Sequence, residues 1–387
     1  MPFFSFILNK NCSTSSLDLK NCDVEYIKKD TKYFSKNSSI WKILNKKNNQ
    51  DLLKEINIEK HSKYLPKSEK ILFCLPPNPG IGDSIEYGLA IKNIKLNKIF
   101  KEIGIAFCSN AHEILSHFTE ADNIYSDFIS ESQMKKYDTV FHFTSEINLL
   151  KLQKYERENI EEAINNFFKI KNKILKKNFA NKKISRISIF PISNSPIRTL
   201  PINLIDDIIS HLINKKYEVD VILGNDQITT EHFRNLKNLN KCKVYNPSNL
   251  KDLVKYIKSI EFGVFCDSGP LHISKIYNKK GILISTSVDS KKILYDNSNI
   301  TYYNSNFKSN YCSAPCGLTN IINFNNEHGC YYSLKKEKKL VFENTQIHLL
   351  NRGNLKKSYK YFLNNPVGCI ESINYQKIKI FLDKLLK

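Results

Sequence analysis

From residue 71 onward, short apolar runs alternate with amphipathic stretches of helical period. Ile71–Pro76 is an apolar run closed by prolines and predicts a buried strand. A Gly/Pro loop follows, and then a helical pattern over Ser84–Phe100. Ile103–Ser109 predicts a second strand, Ala111–Phe118 a helix, Ile124–Ile129 a weaker strand and Asp138–Thr144 a stronger one. Asn159–Leu175 carries a helical face marked by Ile160, Ile164, Phe167 and Phe168. The pattern breaks at the charged stretch Lys171–Lys183 and then restarts. Strands are expected at Ile184–Ser193, Glu218–Gly224, Lys243–Asn246, Phe262–Asp267 and Gly281–Ser287. Helices are expected at Asn203–Asn214, Gln227–Leu239, Leu250–Ile260 and Pro270–Tyr277.

This alternation predicts an α/β protein with two Rossmann-like parallel-sheet domains. Their expected bounds are 69–178 and 183–350, followed by a C-terminal helix at 365–387. Residues 1–68 are polar, rich in Lys and Asn and weakly periodic, and read as an extension of uncertain order. Ligands of parallel sheets bind beyond the carboxyl ends of the strands, so the residues just after each strand are the ones to inspect.

Charge and cysteine usage narrow the class. With 59 Lys and Arg against 38 Asp and Glu, the net charge is +21. That balance favours an anionic partner, although Lys recurs so evenly that a compositional bias over solvated faces is its main source. Ten cysteines are scattered, several inside apolar runs, which is the pattern of buried thiols in a reducing compartment. The start is apolar only as far as Leu8, and no run is long enough to span a bilayer. The reading is a cytoplasmic protein with at most peripheral contact with the inner face of the membrane.

The most informative segment is Phe265–Tyr277, in which DSGPLH occupies Asp267–His272. A strand ends at Asp267, Ser268 and Gly269 turn the chain, and Pro270 suits the first helical position, where its missing N–H costs nothing. Gly269 lets a ligand approach the backbone, and the free N–H groups of the helix favour an anion such as a diphosphate. Asp267 is misplaced against phosphate and suits a sugar or ribose hydroxyl. A plain strand–turn–helix with Ser268 as cap fits the local pattern equally well. Ser193, Asn194 and Ser195 likewise follow a strand and offer hydroxyls and an amide to phosphate, with Arg198 to neutralise it; an ordinary polar loop is the bland reading. Asn225 and Asp226 end another strand and suit either a ribose or a turn.

DSGPLH resembles the D-[ST]-G-P-x-H signature of the heptosyltransferase-like glycosyltransferases, family 9. The resemblance continues in order along the chain: Pro77–Lys95 with its Gly-Asp pair, Tyr137–Phe143, Ile189–Pro201 and Val221–Gln227, together covering roughly residues 70–300. Several positions depart from the family pattern. Leu89 stands where the family has Pro, Phe190-Pro191-Ile192 replaces H-P-G, and Arg198 and Leu200 replace the Lys and Trp of K-x-W-P.

The resemblance implies a GT-B type enzyme, with its two domains facing across a cleft. It implies inverting transfer of a sugar, heptose foremost, from a nucleotide-diphosphate donor such as ADP-heptose, with no obligatory metal. The acceptor implied is lipopolysaccharide-type or another glycan. It carries the role of catalytic base to Asp83, with Glu86 one helical turn away as backup; Gly82-Asp83 by itself reads more simply as a helix cap.

Cys312, Cys316, Cys330 and His328 form a loose Cys3His set that lacks paired C-x2-C spacing, and the resemblance, which includes similar cysteine patterns late in the family, implies a loop feature rather than a metal site. No D-x-D, H-E-x-x-H, Walker loop or G-x-G-x-x-G is present, so neither cofactor nor metal is expected. No nucleic-acid partner is expected either. His61, His112, His117, His142, His211 and His232 find no partner in the sequence and read as core or surface residues. The rival class is a degenerate transferase fold that binds polyanions or a partner without catalysis.

Overall fold

A computed structural model describes residues 3–15, 25–46, 51–61, 64–77, 79–108, 111–147, 150–151, 156–157, 159–174, 183–224, 227–297, 299–310, 312–318, 330, 363–366 and 368–387. The chain divides into two compact units: Met1–Leu149 with Ile160–Leu175, and Leu150–Asn159 with Lys176–Lys387.

Besides a two-stranded pairing of Cys12–Ser13 with Tyr26–Ile27, the first unit holds two four-stranded sheets. One is antiparallel and built largely from the segment that reads as an extension: β1 (Phe4–Leu8), β2 (Tyr33–Ser35) and β3 (Leu53–Ile58). The other is parallel: β4 (Lys70–Cys74), β5 (Glu102–Ala106), β6 (Asn123–Tyr125) and, beyond β7 (Phe128–Ser130), β8 (Thr139–His142). The antiparallel order is β3-β1-β2-β7 and the parallel order β8-β4-β5-β6. The single weak strand expected near residues 124–129 is therefore two strands, one for each sheet, with Ser126 and Asp127 between them.

The weak periodicity of residues 1–68 conceals an aromatic core. Phe4, Phe6, Tyr33 and Phe128 bury their rings together, and Trp41 from the helix Ser38–Leu44 packs edge-on to Phe4 at 5.0 Å. Asn37 caps that helix by accepting the Ser39 N–H. The parallel sheet is apolar on both faces, as parallel strands require. Helix α1 (Ile81–Leu96) follows β4 and packs on α2 (Ile160–Phe167). The latter is shorter than the helix expected over Asn159–Leu175.

The second unit is built on a six-stranded, all-parallel sheet, with two short antiparallel pairs beside it. Its strands are β9 (Arg186–Phe190), β10 (Glu218–Ile222), β11 (Lys243–Tyr245), β12 (Phe262–Phe265), β13 (Lys280–Ser285) and β14 (Ile300–Asn304). The first five match the expected runs to within a few residues; β14 escaped the sequence reading because Thr-Tyr-Tyr is only half apolar. The spatial order is β11-β10-β9-β12-β13-β14. In chain order this is 3-2-1-4-5-6, the doubly wound arrangement whose direction reverses between β9 and β12.

Helices α3 (Ile202–Asn214), α4 (Leu250–Ser259) and α5 (Gly269–Ile276) connect the strands. The C-terminal helix α6 (Tyr375–Leu385) returns to pack Ile378 and Leu382 into the core formed by α3 and the sheet. His211 on α3 ties it down with a 2.8 Å contact to Asp383. Among the described residues no helix is long and apolar enough to cross a membrane.

Candidate functional site at the switch point of the second sheet

The strand order reverses between β9 and β12, the point beyond whose carboxyl ends doubly wound sheets bind ligands, and the chain places its candidate residues on both sides of it. After β9 the segment from Pro191 to Leu200 folds back on itself. The Thr199 hydroxyl accepts the Ser193 N–H at 3.1 Å and contacts the Ser195 carbonyl at 3.1 Å, while the Leu200 N–H bonds the Pro191 carbonyl at 2.9 Å. Ser193 and Ser195 are buried by this fold, and Asn194 is exposed at its tip. Leu200, which stands where the family pattern has Trp, is fully buried in the core of the unit.

Across the switch point, β12 runs into Asp267, Ser268 and α5. The helix begins at Gly269, so Pro270 is its second residue rather than its first. Ser268 occupies the N-cap with extended backbone, but its hydroxyl makes no capping bond and points back to the Cys266 carbonyl at 3.4 Å. The first-turn amides of α5 are therefore not consumed by a side-chain cap, which leaves the positive end of the helix available to an anion.

The two sides are joined by an ion pair that sequence reasoning did not anticipate. Arg198 Nη1 lies 3.1 Å from Asp267 Oδ2 and also donates to the Asp267 carbonyl at 3.1 Å. His272 Nε2 is 3.8 Å from Asp267 Oδ1. Burial alone would raise the Asp267 carboxyl, but the Arg198 guanidinium and then His272 outweigh it and hold the group well below the usual carboxylate range. Asp267 is thus ionised and oriented at neutral pH. The expectation that Arg198 faces phosphate while Asp267 faces hydroxyls needs amendment, since one Arg198 nitrogen is engaged by Asp267. Its Nε is buried and has no hydrogen-bond partner, so the guanidinium keeps unspent donor capacity.

The sequence also missed Thr286 and Ser287, just past β13. The Thr286 hydroxyl donates to the Ile197 carbonyl at 2.5 Å, and the Ser287 carbonyl accepts the N–H groups of Cys316 at 2.9 Å and Gly317 at 2.8 Å. They anchor the Ser193–Arg198 loop on one side and the segment around Cys316 on the other. The available signal was a polar Ser-Thr-Ser run closing an apolar strand. Asn225 lies outside the described residues, as do Asp226 and His328.

Asp83 belongs to the first unit. It sits in the first turn of α1, half-buried, three residues after the Gly80 cap, and the N-cap itself has no side-chain bond. Cys330 and Cys369 are buried, and each feels Cys312 and Cys316, which together with burial push both thiols up. Among the described residues, however, no three His, Cys, Asp or Glu side chains converge as a metal-ligand group.

No family model and no curated protein matches the sequence. Solved structures do match. The glycosyl transferase family 9 structure from Veillonella parvula DSM 2008 is similar at a TM-score of 0.50 and 10% identity, over 83% of this chain and 98% of that one. The chain has the GT-B type fold of the family 9 glycosyltransferases. Two further neighbours score lower. One is the dodecameric iron-containing heptosyltransferase TibC of enterotoxigenic E. coli, whose complex with ADP-D-beta-D-heptose matches at TM-score 0.49 and 12% identity, over 99% of this chain and 91% of that one. The other is E. coli ADP-heptose lps heptosyltransferase II, at 0.47 and 12%, over 61% and 90%.

Proposed function

We propose that this chain is a glycosyltransferase that takes a sugar, heptose foremost, from a nucleotide-diphosphate donor such as ADP-heptose. The observation that carries the reading is the grouping of Arg198, Asp267, His272 and the uncapped amino end of α5 around the switch point of a doubly wound sheet. In this reading the α5 amides and the remaining donors of Arg198 hold the diphosphate. Ser193, Asn194 and Ser195 supply further polar groups from the β9 loop, and Asn225, which follows β10 in the sequence, is a further candidate. Asp267, kept ionised by Arg198, accepts from a hydroxyl of the sugar or ribose, and His272 donates beside it.

The first unit supplies the acceptor side, and Asp83 takes the proton from the attacking acceptor hydroxyl as that oxygen displaces the nucleotide diphosphate, inverting the anomeric centre. The acceptor is a lipopolysaccharide-type or other glycan, reached at the inner face of the membrane. Positive charge from Arg198 and the helix dipole takes the place of a metal ion at the leaving diphosphate.

Calorimetry with a panel of nucleotide sugars tests the reading, with nucleoside and nucleoside diphosphate as partial ligands. Submillimolar binding of one nucleotide sugar, weakened by R198A, is the expected result, and no binding of any panel member overturns it. The net charge of +21 favours a second reading, a non-catalytic polyanion binder of the same fold. Polyanion binding would collapse between low and high salt, whereas specific donor binding survives.

A further inference from the structure

The first unit buries a positive charge that no described carboxylate meets. Lys36, just past β2, is 2% exposed. Its ammonium donates to the Leu75 carbonyl at 3.3 Å, one residue beyond β4, and lies 5.9 Å from the ring centre of Phe107, one residue beyond β5. Among the described residues, the titratable neighbour that favours its charge is the Cys74 thiol, which burial itself pushes up to about 12 and so keeps neutral.

His142, the last residue of β8, is the register partner of Cys74. It is 1% exposed, and neither ring nitrogen has a hydrogen-bond partner. His61, at the surface, lies edge-on to it at 4.2 Å between ring centres, with Nδ1 held 3.0 Å from the Ser145 hydroxyl. An ammonium and two imidazoles therefore gather at the carboxyl ends of three of the four parallel strands.

A lysine kept only for packing would be paired, because a lone buried ammonium is costly and apolar side chains replace such charges without loss. One carbonyl also satisfies just one of its three donors. A buried imidazole with both nitrogens unused is equally out of place in a finished core. Burial and the nearby Lys36 push its pKa down to about 2, so at neutral pH the ring can donate one N–H. The pair is complementary to an oxyanion: a full charge from Lys36 and an N–H from His142.

We propose that Lys36 and His142 form an acceptor-side subsite for an oxyanion, a phosphate or carboxylate carried by the acceptor, beneath the ring of His61. The assignment of the group to the acceptor rests on the glycosyltransferase reading; the oxyanion site does not.

The test uses the full chain labelled with 13C at histidine, following the Cε1–H resonance of His142, assigned with H142Q, as inorganic phosphate or acetate is added. A saturable shift with either anion is expected. Response to phosphate alone assigns a phosphate to the site, and response to acetate alone assigns a carboxylate. K36M should weaken the response by about ten- to a hundredfold, the worth of a hydrogen bond to a charged group, while melting at or above the parent temperature. K36R and R198A should retain it. The proposal is overturned if neither anion moves the resonance, if K36M responds with the parent's affinity, or if K36M melts well below the parent, which would make Lys36 a structural tie. Failure of the nucleotide-sugar panel would leave this response intact, so the two readings fail separately.

Discussion

Arg198→Ala should destabilise the second unit before it affects any ligand. The guanidinium and the Asp267 carboxylate are 3.1 Å apart, with side chains 19% and 8% exposed. At an effective dielectric of about 20 such a pair attracts by roughly 5 kcal/mol. Both ions lose hydration in the folded unit, so the net worth of the pair is smaller. Deleting one partner, however, leaves the other buried and unmatched, at a cost of about 3–5 kcal/mol. His272 stays 3.8 Å from the carboxylate and absorbs part of that loss, which puts R198A near 3 kcal/mol. The decisive feature is the sign of the second step. D267N introduced into R198A removes the orphaned charge and should recover stability, although D267N alone in the parent is destabilising. Urea unfolding of the parent, both single variants and the double variant, with hydrogen exchange reporting on the second unit, gives the cycle. The reasoning fails if R198A lies within about 1 kcal/mol of the parent, or if D267N deepens the loss in the R198A background.

Other expectations follow from the same geometry. D83N should lower turnover by roughly 100- to 10,000-fold while donor affinity, read by calorimetry, stays within a few fold; parent turnover in D83N would return Asp83 to the role of a helix-end residue. Transfer should persist in EDTA, and complete loss restored by Mg²⁺ or Mn²⁺ would refute the assignment of the leaving-group charge to Arg198 and α5. His142 couples stability to pH. Its folded pKa lies near 2 against about 6.5 when unfolded, so the unfolded chain takes up a proton that the folded one refuses. Its contribution is complete above about pH 6.5 and is lost as pH falls, by up to about 1.4 kcal/mol per unit. Chemical denaturation between pH 7 and 4.5 should show H142Q with a shallower slope than the parent; identical slopes would mean that the ring is solvated.

The alternation of strands and helices from residue 71 to residue 287 was legible in local pattern alone, because buried parallel strands demand apolar runs and surface helices demand a 3.6-residue period. The sequence also located the two segments that flank the switch point of the second unit's sheet, since Ser, Asn, Asp, Gly and Pro after an apolar run mark a strand end whatever the fold. It did not show the antiparallel sheet near the amino end. Its strands are short, and what holds them is an aromatic cluster completed by Phe128, more than ninety residues away from Tyr33. Nor did it show that Arg198 reaches Asp267. Those residues stand 69 positions apart and meet only because β9 and β12 are neighbours at the point where the strand order reverses. The same holds for Lys36 and His142, two unremarkable residues in the sequence that become one buried, positively charged group when β2, β4 and β8 bring their ends together. Local periodicity reports what each segment buries; which charges share a site is decided by strand order, a property of the whole unit.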